Sequence, residues 1–155
     1  MKTPKDIKQI LDNDSYQVFL FTCPANVPGF RHPWFVLNKK GKLTRWEVLF
    51  EKNNSQSGWQ HLHIDLFNPF SGISRFPYSQ KLLRKARFEG YINGDNAKKA
   101  IGFIESSPDS YPFRNYYRFF GPNSNTYAQW VLDHNPKFKV KLPNNALGKD
   151  YPINT

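Results

Sequence analysis

The chain has 155 residues, 39% of them hydrophobic and 17% aromatic, enough apolar material for one packed core and too many rings for a disordered chain. Twenty-two basic against twelve acidic residues give a net charge of +10, which attracts polyanions such as nucleic acid, anionic lipid head groups or an acidic wall polymer. A single cysteine, Cys23, excludes an internal disulfide, four histidines without cysteine pairs exclude a zinc-finger scaffold, and no apolar run reaches the roughly 18 residues of a membrane span.

In chain order, the start Met1-Lys2-Thr3-Pro4-Lys5-Asp6 lacks the apolar stretch of a secretory signal, which predicts a cytoplasmic address. Residues 5–11 carry Ile7, Ile10 and Leu11 at helical spacing. Residues 15–22 are β-branched and aromatic, with the length of a buried strand. Two prolines and Gly29 make 23–29 a loop. Residues 32–37 and 43–50 read as two strands of a hairpin turning over 38–42.

After a polar loop over 53–58, residues 59–67 alternate as a strand, with Leu62, Ile64 and Leu66 on one side and His61, His63 and Asp65 on the other. Residues 68–79 form an irregular segment rich in aromatics, proline and glycine. Residues 81–92 suit a helix at first and a strand from 87 onward; the strand is preferred, ending at Asn93-Gly94. Asp95 caps a helix to about 106, with Ala97, Ala100, Ile101 and Ile104 inward, stopped by Ser107-Pro108-Asp109-Ser110. A second long helix opens at Gly121-Pro122-Asn123-Ser124-Asn125-Thr126 and ends near Asp133. Residues 138–142 make a short strand in the tail. The expected architecture is α+β: an antiparallel sheet with two or three helices packed on one side. The whole of 1–155 reads as a single domain, with a helical extension over 1–14 and a tail over 137–155 packed on it.

Chemistry concentrates at the late helix. A hydroxyl in its first turn sits where free N–H groups and the positive dipole end gather, which favours a nucleophile and an oxyanion beside it. Ser124 is the candidate nucleophile, although a serine at a helix start is more often a cap. His32, opening a strand beside Pro33-Trp34, is the candidate base or a structural histidine capping that strand. Glu47 in the partner strand orients it if both share a face, which requires cross-strand partners whose numbers sum to an odd value; otherwise Glu47 pairs with Arg45 or another cation. Trp34, Tyr116, Asn123, Asn125 and Thr126 are candidate ligand contacts. His61, His63 and Asp65 alternate as metal ligands would, yet lack a fourth ligand, and solvent-facing polar positions explain them equally, so neither metal nor cofactor is expected. Cys23 is read as a semi-buried thiol. His134 closes its helix as a dipole cap.

These segments resemble a bacterial family known only as a domain of unknown function. The resemblance is carried by His32-Pro33-Trp34, Trp46-Glu47-Val48, the run from Tyr111 through Tyr116-Tyr117-Arg118 and Gly121-Pro122-Asn123-Ser124-Asn125-Thr126 to Tyr127, and Leu142-Pro143 with Leu147-Gly148-Lys149-Asp150-Tyr151. An early strand histidine followed by a late helix-opening nucleophile is also similar to the circularly permuted papain-like superfamily, which includes NlpC-type cell-wall amidases and the lecithin:retinol acyltransferase group. Those enzymes open the helix with Asn-Cys, whereas this chain has Asn123-Ser124. That likeness implies a hydrolase or acyltransferase acting on an amide or ester of a small molecule, peptide or lipid, or a scaffold that has lost the chemistry. The other expectation is a non-catalytic binding module for an anionic ligand or surface.

Overall fold

The computed structural model describes residues 4–53, 59–76 and 79–154. Most of the polar loop expected over 53–58, two positions of the irregular segment, and the extreme termini lie outside the described residues. The elements are α1 (Pro4–Ile10), β1 (Tyr16–Pro24), β2 (Arg31–Lys39), β3 (Lys42–Val48), β4 (Leu62–Ile64), β5 (Arg87–Asn93), α2 (Gly94–Ser110) and α3 (Ser124–His134). All strands join one antiparallel sheet in the order β4-β3-β2-β1-β5.

Hairpin chemistry sets the central register. Lys40 and Gly41 both take positive φ, 51° and 90°, as a two-residue turn matched to strand twist requires. Asn38 Oδ1 accepts the Gly41 N–H at 2.8 Å. Lys39 then pairs with Lys42 and Phe35 with Trp46, the odd-sum register. Period-two alternation therefore puts His32, Trp34, Arg45 and Glu47 on one face.

Both faces of the sheet are covered, which is why β1 is apolar on both sides. Val18, Leu20, Phe35, Leu37, Trp46 and Val48 pack under α2 and α3. On the reverse, Phe19, Phe21, Trp34 and Val36 meet Ile7 of α1 together with Phe67, Ile73 and Ala86 from the segment before β5. The helices thus divide between the faces instead of gathering on one: α1 crosses over because Gln17 and Asn38 tie its exit, Gln17 Nε2 donating to Ile10 O at 2.7 Å and Asn38 Nδ2 to Asp12 O at 2.8 Å.

Three local expectations change. The strand over 59–67 shrinks to β4, since Asp65 turns into positive φ (57°) and its side chain accepts the Arg45 N–H. α2 runs past Pro108 to Ser110, and its N-cap is Asn93 instead of Asp95. Proline in the last turn forfeits one intrahelical bond without breaking the helix. The tail over 138–142 is no strand: Phe138 and Leu142 are buried in the core, but no ladder forms there.

Candidate active site

The start of α3 is built by its own polar run and fastened by the tail. Asn123 Oδ1 accepts the N–H groups of Asn125 (3.0 Å) and Thr126 (3.2 Å), while Thr126 Oγ1 accepts the Asn123 N–H at 3.0 Å, a closed capping box. Thr126 Oγ1 also donates to Gly148 O at 2.7 Å, and Asn123 Nδ2 donates to Phe119 O and Leu147 O, each at 2.9 Å. Asn125 Nδ2 bridges Leu147 O and Arg31 O, each at 3.0 Å. The helix start is thereby pinned to the residue before His32. Gly148 (φ 94°) belongs here because a Cβ would collide with the Asn123 amide.

This cap corrects one expectation. The N–H groups of Asn125 and Thr126 are consumed by Asn123, so they are not open oxyanion donors. The Ser124 N–H takes no part in the capping box, and Tyr117 lines the same cavity as Ser124. Burial raises the Tyr117 pKa, an effect that Ser124 partly offsets, so Tyr117 stays a neutral donor at physiological pH.

Behind the cleft lies an imidazole hydrogen-bonded to a buried carboxylate. His32 Nε2 is 2.8 Å from Glu47 Oε2, and both residues are buried. Arg45 Nη2 donates to the same oxygen at 2.9 Å, and its Nε lies 2.9 Å from Oε1 without hydrogen-bond alignment. Arg45 Nη1 donates to Asn68 O and Ser71 O, both at 2.6 Å, and the guanidinium lies 4.3 Å from the centre of the Trp34 ring. Burial would raise the Glu47 pKa, but Arg45 and the His32 hydrogen bond outweigh it and hold the carboxyl below its ordinary range. An ionised carboxylate only accepts, so His32 presents an N–H at Nε2 to Glu47, and its Nδ1 is the ring nitrogen left for the cleft. The Trp34 ring stacks on the imidazole, 6.3 Å between centroids.

A cleft of about 400 Å³ opens where β1, β2 and β3 end, and both His32 and Ser124 line it. Val27, Phe30, Leu49 and Phe119 make its walls largely apolar. Ser124 comes from the helix-covered side of the sheet and His32 from the reverse side, because His32 shares its strand face with Trp34. No hydrogen bond joins them among the described residues. Asn125 also lines the cleft, its buried Oδ1 without a hydrogen bond. Asn123 lies at the margin with its side chain spent in the cap, and Thr126 is fully buried. Trp34 sits beneath the cleft, its Nε1 donating to Pro69 O at 2.9 Å. Tyr116 is exposed and lines an adjoining chamber.

Sequence reasoning missed Tyr117 and the full role of Arg45. Arg45 had a signal, since it stands two residues from Glu47 in one strand and must share its face. Nothing in the pair Tyr116-Tyr117 singled out the second. The remaining candidates are structural in their bonding. His61 Nδ1 donates to Leu49 O at 2.9 Å and His63 Nε2 to Glu51 O at 2.8 Å, and both rings are buried, not solvent-facing. Cys23 is fully buried, and burial pushes its thiol up to about 11. His134 Nδ1 donates to Trp130 O at 2.9 Å.

Fold and site together define an α+β protein with a buried imidazole hydrogen-bonded to an Arg-paired carboxylate, near a tightly capped helix start. Residues 17–151 match the family described as Protein of unknown function (DUF3750), and the chain belongs to that family. No curated protein and no solved structure matches the chain. Among the described residues, no helix is long and apolar enough to cross a membrane.

Proposed function

We propose that the chain is an amide- or ester-bond hydrolase or acyltransferase on a permuted papain-like plan, with serine where the usual nucleophile is cysteine. The observation that carries this reading is the shared cleft: Ser124 and His32 both line it, and His32 is held by Glu47 with Nδ1 left for the cleft. In the reaction, Ser124 Oγ bonds to the substrate carbonyl carbon as its proton passes to His32 Nδ1. The Ser124 N–H and the Tyr117 hydroxyl are the donors for the oxyanion. Collapse expels the leaving group with the proton from His32, and water or a second acceptor releases the acyl group. Ser124 must first bring its hydroxyl within reach of His32, an adjustment of the kind that substrate binding brings about in catalytic hydrogen bonds.

A fluorophosphonate probe tests this without knowledge of the substrate. The wild-type chain should be labelled, Ser124→Ala should not, and His32→Gln should label at least 100-fold more slowly, at about the lower end of general-base contributions. An unlabelled wild type, or label retained by Ser124→Ala, ends the reading. The second reading, a non-catalytic binder of an anionic ligand or surface, is favoured by the lack of a hydrogen bond between Ser124 and His32 among the described residues and by the net charge of +10. It requires affinity for nucleic acid, anionic vesicles or wall polymer that falls steeply with salt.

A further inference from the structure

Beside the cleft lies a second chamber of about 460 Å³, and Phe50, Glu51 and Tyr117 line both. The Phe50 and Tyr117 rings meet edge-on, 5.7 Å between centroids, as a partition. The two sides differ in chemistry. Val27, Phe30, Ile73 and Phe119 face only the first chamber, whose polar end is made by Arg31, His32 and Ser124, whereas Lys52, His61, Asn115 and Arg118 face only the second. The second chamber thus carries two cations, Lys52 and Arg118, against one carboxylate, Glu51, which lines both chambers.

We infer that the site takes a single-chain amphiphile with an anionic head: the alkyl or acyl chain fills the apolar chamber, and the head lies on the Arg118 side of the partition. Because Tyr117 lines both chambers and Ser124 lines the first, a scissile ester or amide spanning the partition would lie on the chamber that Ser124 lines. This deepens the proposed hydrolase or acyltransferase and rests on it for the word substrate. The binding geometry itself needs no turnover.

Equilibrium binding of octyl phosphate, decyl phosphate and an uncharged decyl glycoside, each kept below its micelle concentration, tests the assignment. Decyl phosphate should bind on the order of tenfold more tightly than octyl phosphate, given a gain of about fourfold per buried methylene, and more tightly than the glycoside. Val27→Glu, at a 40%-exposed position, should flatten the chain-length dependence. Arg118→Glu, also at an exposed position, should remove the preference for phosphate while leaving glycoside affinity unchanged. Circular dichroism confirms that both variants are folded. Absence of chain-length dependence in the wild type, or a phosphate preference that survives Arg118→Glu, overturns the inference. A chain that shows both selectivities but never reacts with the fluorophosphonate keeps the two-chamber site and loses the catalytic reading; one that reacts without selectivity does the reverse.

Discussion

Replacing Glu47 with glutamine tests the ion pair behind the cleft. Glu47 is 1% exposed and Arg45 0%, so water cannot substitute for the lost charge. The variant leaves a guanidinium buried against Trp34 and two backbone carbonyls with no counter-ion, a loss that costs about 3–5 kcal/mol. A chain of 155 residues has a total stability of about 8–23 kcal/mol at about 0.05–0.15 kcal/mol per residue. The cost is thus a large fraction of the whole and corresponds to a melting temperature lower by about 6–20 °C. Removing both charges, in Arg45→Met with Glu47→Leu, should recover most of it, because a packed apolar pair carries no desolvation penalty. The pH dependence has a defined sign. The folded-state pKa of Glu47 lies below its ordinary 4.5, so its stabilisation is complete above that value and disappears as pH falls through the folded pKa. The gap between wild type and Glu47→Gln, read from urea unfolding by circular dichroism, should be widest at neutral pH and narrow toward acid. A variant within about 1 kcal/mol of wild type at pH 7, or a gap that widens toward acid, refutes the buried-pair account.

Two further substitutions or reagents probe the surroundings. Gly148→Ala drives a methyl into the Asn123 amide at positive φ and should cost about 1–3 kcal/mol in urea unfolding. Gly94→Ala, also at positive φ but with open space around it, should cost less; equal costs would mean that the collision is not the cause. Cys23, its pKa raised to about 11 by burial, should resist iodoacetamide at pH 8 in the native chain and react once urea unfolds it. As pH rises above 9, the unfolded thiol ionises first, so folding stability should decline. Rapid alkylation of the native chain would contradict the burial.

The parts legible in the sequence were those governed by local rules. Gly41 and the flanking alternation announced the β2–β3 hairpin, and Asn123 with Thr126 announced the start of α3. The parts that stayed hidden depend on neighbours distant in the chain. Alternation of Phe138 and Leu142 with Lys139 and Lys141 reports one buried side and says nothing of a ladder, so the tail resembled a strand. Likewise, His61 and His63 looked solvent-facing because nothing local reveals that the chain beyond β3 supplies carbonyls to both rings.

The same distinction bears on the late motif. Three of the four polar residues in Asn123-Ser124-Asn125-Thr126 are explained by fastening: Asn123 and Thr126 close the cap, and Asn125, Asn123 and Thr126 hold the carbonyls of Arg31, Leu147 and Gly148. The motifs Gly-Pro-Asn-Ser-Asn-Thr and Leu-Gly-Lys-Asp-Tyr are therefore partners in the folded chain, and their presence together follows from packing alone. Ser124 does not fit that explanation. Its side chain takes no part in the cap or in the tail bonds, and an alanine there would leave every one of them intact. Ser124 lines the cleft that His32 also lines. Packing thus accounts for the motif around Ser124 and leaves Ser124 itself as the member that the fastening does not explain.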